Sequence, residues 1–196
     1  MFRTDRKLLV LDFDVEARPM HWIGRDYVSK EIMAIAAKFV GQRRVHVWTL
    51  DDGAVGMLEG FKELYDRAEM VTGHYIRGYD LPLVNGMLTE HQLPHLSDKL
   101  AQDTKLDLLK RSGLSSSQEN LAADFDLDHP KVGMTQADWR EAARFTPQGI
   151  AAMRERVIVD VEQHIELRQR LLDLGYLSSP KIWRSNAHGY SPHYSA

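Results

Sequence analysis

Leu-Leu-Val-Leu-Asp-Phe-Asp-Val-Glu-Ala, residues 8–17, is the stretch that decides the fold. Its first half is the Leu- and Val-rich run of a buried strand, and acids then follow at alternate positions. Because side chains on a strand alternate between its faces, Asp12, Asp14 and Glu16 share one face. Buried carboxylates need cations, hydrogen-bond donors or water around them. The stretch therefore predicts a core strand whose acidic end either emerges into solvent or forms part of a site.

The length and composition restrict the class of protein. A chain of 196 residues fits one domain, and its 43% apolar and 27% charged residues are typical of a globular protein. The absence of cysteine excludes disulfides and thiolate metal sites. A net charge of −3 excludes a polycation that binds nucleic acid by bulk attraction. No apolar run approaches the roughly 18 residues of a membrane span, and no signal-peptide pattern is present, so we expect a cytoplasmic protein without a membrane partner.

The order of the elements predicts an α/β layer fold, in which helices cover a mixed sheet. Residues 7–16, 45–50 and 70–73 have the pattern of strands. The apolar run at 31–40 fits a strand or a helix, since its period does not separate the two. Residues 98–145 are expected to be mostly helical.

The last helix has the clearest limits. Thr146 can cap it, Pro147 suits its first position, and Gly175 is a plausible stop. The serines, prolines and scattered aromatic residues that follow are typical of poor order. We therefore expect one domain over residues 1–177 and a flexible tail over 178–196.

An acid interrupts the apolar face of this last helix. Asp160 lies at helical spacing within that face, so its charge must be compensated. A divalent metal shared with acids of the sheet would compensate it, as would an ion pair with Arg154, Arg156 or another arginine. The face comprises Met153, Val157, Asp160, His164, Leu167 and Leu171.

Three segments in order resemble the motifs of one enzyme family. Phe13-Asp-Val-Glu16 resembles the D-x-E motif of the DEDD-type (DnaQ-like) 3′–5′ exonucleases, which have a ribonuclease H-like fold. Residues 73–82, Gly-His-Tyr-Ile-Arg-Gly-Tyr-Asp-Leu-Pro, are similar to the second motif, and Val157-Ile-Val-Asp-Val161 is similar to the third. Residues 102–109 also resemble the D-T segment between them. The resemblance spans about residues 7–172 and implies a ribonuclease H-like mixed sheet flanked by helices.

The resemblance implies that Asp14, Glu16, Asp80 and Asp160 bind two divalent ions, Mg²⁺ or Mn²⁺. Taken alone, Asp80 fits a helix cap. Carboxylate oxygens are the hard ligands that these ions prefer. Two ions about 3.5–4 Å apart can activate water and stabilise the leaving oxygen in phosphodiester hydrolysis. In this interpretation Asp12 lies outside the cluster, as a supporting or surface acid.

The sequence departs from the family at three places. Ala17 stands where the first motif is usually followed by Thr or Ser, and Tyr75 stands where the second carries Asn. The third motif normally has Tyr four residues, or His five residues, before its Asp, and Arg156 and Glu155 occupy these positions. Trp22 can stack on a base or pack as an ordinary tryptophan. The expected substrate contacts are Ala17, Arg18, Trp22, Tyr75 and Arg156.

The departure in the third motif removes the usual general base. His164, one turn after Asp160 on the same face, is a candidate replacement, and the alternative is a core histidine with its hydrogen bonds satisfied. A metal-bound hydroxide is a further alternative. A third alternative is that Arg156 contacts a substrate phosphate instead.

We therefore expect a metal-dependent 3′–5′ exonuclease that hydrolyses single-stranded nucleic acid, with DNA favoured over RNA. A role in proofreading would require a DNA polymerase as partner. One alternative is a ribonuclease H-like endonuclease, which would cut circular substrates. The other is a nucleic-acid-binding or scaffold module with weak catalysis, which the missing Tyr or His keeps open.

Overall fold

A six-stranded mixed sheet is central to the computed structural model, which describes residues 8–21, 28–129 and 133–185. The spatial order is β3-β2-β1-β4-β5-β6. The first three strands pair antiparallel, β1, β4 and β5 pair parallel, and β6 returns antiparallel to β5. The strands are β1 (Val10–His21), β2 (Val28–Phe39), β3 (Val45–Thr49), β4 (Met70–Gly73), β5 (Lys99–Asp103) and β6 (Lys181–Trp183).

Helices lie on both faces of this sheet. The long helix α5 begins as its sequence predicts, with the Thr146 side chain accepting a hydrogen bond from the Gly149 amide and Pro147 in the first turn. The described helices are α1 (Ala54–Arg67), α2 (Asp80–Glu90), α3 (Gln118–Asp124), α4 (Gln136–Ala143) and α5 (Pro147–Asp173). No helix in the described ranges has both the length and the apolar character needed to cross a membrane.

The two faces of β1 have different roles, as its alternating pattern predicts. Leu11, Phe13 and Val15 enter the main core with α1 and α2, and the rings of Phe13 and Phe61 lie 4.9 Å apart. The acids between them face α5. That helix packs Val157 and its apolar neighbours on small residues of β2, which form a second core cluster. The sheet therefore holds the acids against the last helix.

Two segments differ from the sequence-based expectation. Residues 31–40, left open between strand and helix, lie mainly in β2. The mostly helical segment expected over 98–145 begins with β5, and among its described residues a short 3-10 turn at Lys110–Ser112 and the helices α3 and α4 follow. Since β5 is short and partly polar, its pairing with β4 rather than its own periodicity defines it as a strand.

The sheet also continues into the segment assigned to a tail. Residues Lys181–Trp183 form β6 at the edge beside β5, and Ser185 is buried. The Ser185 amide donates to the Asp98 carboxylate, and its hydroxyl accepts from the Asn85 side chain. Thus residues 178–185 join the domain, and residues 186–196 of the expected tail lie outside the described ranges.

Candidate active site

Three carboxylates meet between β1 and α5. Asp14 and Glu16 project from the strand, and Asp160 projects from the middle of the helix. Among the described residues, one oxygen from each of these side chains lies within 4.8 Å of the others. Asp14 and Glu16 are half-buried and Asp160 is buried. The packing of α5 against β1 therefore brings Asp160 to Asp14 and Glu16, which are far from it in sequence.

Asp80 adds a fourth acid beside these three. It opens α2 directly after the loop that follows β4, and it is 3% exposed. Its carboxylate accepts hydrogen bonds from its own amide and from the amide of Val15, which places it next to β1. Asp80 is therefore the first residue of α2, after Tyr79 at the N-cap, and its carboxylate neighbours the other acids.

The acids repel one another in the absence of a cation. Burial raises the pKa of Asp14 well above its usual value, and the charges of Asp80, Glu16 and Asp160 raise it further. Burial likewise raises the pKa of Asp80 to about 8, against its two amide hydrogen bonds. A divalent cation would relieve this repulsion, and the oxygen donors are those that Mg²⁺ and Mn²⁺ prefer. The residues present therefore fit such an ion.

Arg156 contacts two of the acids from within the cluster. Its Nε lies 2.5 Å from Oε1 of Glu16, and its Nη2 lies 3.6 Å from Oδ2 of Asp160, one turn further along α5. The ring of Trp139 lies 5.4 Å from the guanidinium carbon. The ion pair between Asp160 and an arginine, the alternative to a metal, is therefore part of the same cluster.

His164 lies apart from the oxygens of the cluster. Its Nδ1 is 2.6 Å from Oδ2 of Asp12, and its Nε2 is 2.9 Å from Oγ1 of Thr104. Both ring nitrogens are thus engaged in a buried setting, as the core-histidine alternative requires. Asp12 is also buried, and its burial raises its pKa against the nearby His164. Asp12 is accordingly a buried partner of His164 and not a surface acid.

The expected substrate contacts have different surroundings. Ala17 is half-buried at a register shift between β1 and β2. The Arg18 guanidinium donates to the Glu31 carboxylate and to the Ala143 carbonyl, so it ties β1 to β2 and to the end of α4. Trp22 lies outside the described residues.

Tyr75 occupies an unusual backbone position in the loop before Asp80. Its φ is +71°, in the left-handed region that asparagine adopts more readily than tyrosine. The residue is 37% exposed, and the Lys105 ammonium lies 4.4 Å from the centroid of its ring. The ring also lies against Gly78, where a Cβ would overlap it. The loop therefore holds a partly exposed aromatic ring against Gly78 and Lys105.

Asp103 is a site residue that the sequence did not identify. Its fully buried carboxylate accepts backbone hydrogen bonds from two loops, which it fixes to each other. The four amides belong to Tyr75, Arg77, Lys105 and Leu106. The D-T segment at 102–109 contains this residue and resembles a segment of the family. The sequence does not indicate, however, which amides an acid in a turn-rich segment accepts from. Asp103 thus positions the loop that carries Asp80.

Comparisons with known proteins show the fold. No family model matches the chain, and no curated protein matches it. A family B DNA polymerase from the hyperthermophilic archaeon Pyrobaculum calidifontis is similar in structure, with a TM-score of 0.60 and 16% sequence identity. The match covers 84% of this chain and 24% of the polymerase chain, so the chain spans about a quarter of that protein's length. The predicted α/β fold, a ribonuclease H-like mixed sheet flanked by helices, is confirmed.

Proposed function

We propose that the protein is a metal-dependent 3′–5′ exonuclease that hydrolyses phosphodiester bonds of single-stranded nucleic acid. The observation that carries the proposal is the meeting of Asp14, Glu16 and Asp160, whose ligand oxygens lie within 4.8 Å of one another. These residues belong to the motifs that resemble the DEDD-type exonucleases. The structural similarity to a DNA polymerase supports a nucleic acid as substrate.

The side chains of the site would have different roles in hydrolysis. Asp14, Glu16 and Asp160 would hold a divalent ion, with Asp80 as the fourth acid. When bound, Mg²⁺ or Mn²⁺ supplies water activation and stabilisation of the leaving oxygen. Because the pKa of Asp80 is raised to about 8, this carboxyl must release a proton before it can serve as an anionic ligand. Arg156 offers guanidinium donors close to the position where a phosphate would meet the acids.

We further propose DNA over RNA as the substrate and a DNA polymerase as the partner. The hydrolysis rates of a labelled DNA and a labelled RNA oligonucleotide of the same sequence, measured in one reaction, would compare the two sugars directly. Faster hydrolysis of RNA would reject the preference for DNA. Co-elution with a polymerase and faster removal of mismatched primer ends would support the proposed partner. The absence of both effects would reject it.

The activity is tested on single-stranded oligonucleotides labelled at the 5′ end, with Mg²⁺, Mn²⁺ or a chelator. We expect a ladder shortened from the 3′ end with either ion and no products with the chelator. Asp14→Asn and Asp160→Asn should each lower the rate by at least 100-fold, roughly the loss seen when a key charge-stabilising group is removed. Asp124→Asn, on the exposed side of α3, is the matched control and should keep the wild-type rate. Chelator-resistant hydrolysis, or full activity in either site variant, would contradict the proposal.

The contacts of His164 and Arg156 favour a second candidate, a nucleic-acid-binding module with weak catalysis. Both nitrogens of His164 are engaged by Asp12 and Thr104, and Arg156 stands at the position of the usual general base. This candidate predicts metal-dependent binding of an oligonucleotide that stays intact. A circular single strand separates both candidates from an endonuclease, since only an endonuclease would cut it.

A further inference from the structure

The guanidinium of Arg156 lies where a cation would be expected among the acids. It bridges Glu16 and Asp160, with contacts of 2.5 Å and 3.6 Å from different nitrogen atoms. These two carboxylates also supply two of the three clustered ligand oxygens. Its positive charge also favours the ionised form of Asp14. One arginine therefore acts on all three clustered acids.

The surroundings of Arg156 hold it in this position. Its side chain is only 14% exposed, and that of Glu16 only 15%. The Trp139 ring on α4 lies 5.4 Å from the guanidinium carbon, a distance that suits a cation–π contact. Moving the guanidinium aside would break its ion pair with the Glu16 carboxylate in a poorly solvated place. The arginine is thus a built-in cation of the site.

Charge balance limits how many further cations this site accepts. When all four carboxylates are ionised, as metal ligation requires, they carry −4, and the guanidinium reduces this to −3. One divalent ion brings the sum to −1, whereas a second would bring it to +1 before any phosphate binds. The second ion would also need oxygens that already face the guanidinium, and it would meet the like charge of Arg156.

We propose that Arg156 supplies the second positive charge of the site, so that the free protein binds one divalent ion and not two. This inference rests on the proposed function only in that the acids hold a divalent ion. The arginine is a positioning residue for Glu16 and Asp160, and its guanidinium takes the place that the second ion would occupy.

Titration calorimetry with Mn²⁺ on the full chain, without nucleic acid, counts the ions directly. We expect one ion per wild-type chain. Arg156→Met removes the charge and keeps an unbranched side chain, so this variant should bind two ions. Arg156→Lys keeps the charge and should bind one.

Arg154→Met is the matched control. Arg154 lies two residues before Arg156 on α5. Its Nη1, however, is 3.2 Å from Oγ1 of Thr49 and 3.6 Å from Oδ2 of Asp52. Its removal takes the same charge from the same helix without touching the acidic cluster. This variant should bind one ion. If it bound two, the loss of any positive charge from the helix would be sufficient to admit a second ion, and the inference would be overturned.

The outcomes separate this inference from the proposed function. Two ions bound by the wild-type chain would overturn the role of Arg156 and leave metal-dependent hydrolysis standing. No ion bound by either the wild-type chain or Arg156→Met would overturn both. If Arg156→Met does not fold, the wild-type count and Arg156→Lys still decide, because two ions in either would overturn the inference.

Discussion

The Nδ1 atom of His164 lies 2.6 Å from Oδ2 of Asp12, and the two residues are 2% and 1% exposed. This pair joins α5 to β1 beneath the acidic cluster. A chain of hydrogen bonds continues from Nε2 of His164 to the Thr104 hydroxyl and on to the His74 ring. The contacts therefore connect the last helix with β1, with the turn after β5 and with the loop after β4.

His164→Ala should lower the free energy of unfolding by about 3–5 kcal/mol, because it leaves the Asp12 carboxylate buried without its partner. Urea unfolding measures the loss. Asp12→Ala together with His164→Ala should cost less than the sum of the two single changes, since neither partner is then stranded. Additive costs would show that the pair does not act as a unit.

The same variant tests His164 as a general base. At a temperature where His164→Ala is folded and binds Mn²⁺, we expect hydrolysis to continue, because both ring nitrogens are engaged away from the clustered oxygens. A loss of hydrolysis with intact metal binding would instead assign His164 a chemical role.

The stability of the metal-free protein should fall as the pH rises from about 5 to 8. The pKa of Asp80 is about 8 in the folded state, against 3.8 as its usual value, so the folded state binds the more protons in this window. A carboxyl with a raised pKa contributes stability below its unfolded pKa, and that stability is lost as the pH rises through the folded value. One such group changes the free energy of unfolding by at most about 1.4 kcal/mol per pH unit.

Asp80→Asn isolates this group, because its neutral side chain does not titrate. In the presence of a chelator, the variant should be more stable than the wild-type chain at pH 8, and the difference should shrink towards pH 5. Urea unfolding across this range measures both chains, with Asp124→Asn as the control. A difference that is constant with pH would show that Asp80 does not have a raised pKa.

Asp103→Asn should loosen the loop that carries Asp80. The carboxylate accepts four backbone amides, and an amide side chain cannot accept from all of them. We expect a loss of about 1–3 kcal/mol in the free energy of unfolding and weaker binding of Mn²⁺. Thermal unfolding and titration calorimetry measure the two effects. Asp124→Asn should change neither, and unchanged Mn²⁺ affinity in Asp103→Asn would separate this loop from the site.

The sequence predicts contacts that follow from local periodicity. Alternation on β1 placed Asp14 and Glu16 on one face, and helical spacing placed Asp160 on the face of α5 that meets them. The pairing of Arg156 with Glu16 joins residues 140 positions apart, and no local pattern encodes it. The strand β6 was missed because three residues are too few to show a period.

Gly149→Ala should weaken the packing of α4 on α5 and with it the support of the site. A Cβ at this position would overlap the backbone of Glu141 and Ala142, so α4 must shift. We expect a cost of about 1–3 kcal/mol, which is typical of overpacking, together with a changed fluorescence of Trp139 as its contact with Arg156 alters.

Gly86→Ala is the matched control for this change, since it is also a glycine within a helix. Apart from its chain neighbours and the nearby backbone of its own helix, no heavy atom of the described residues lies within 4 Å of the added Cβ. Alanine should therefore stabilise α2 by about 0.5–1 kcal/mol through its higher helix propensity. Thermal unfolding of both variants compares the effects, and equal stabilisation of the two would show that α4 does not pack closely on Gly149. Opposite signs are expected because only one of the two glycines allows another backbone to approach.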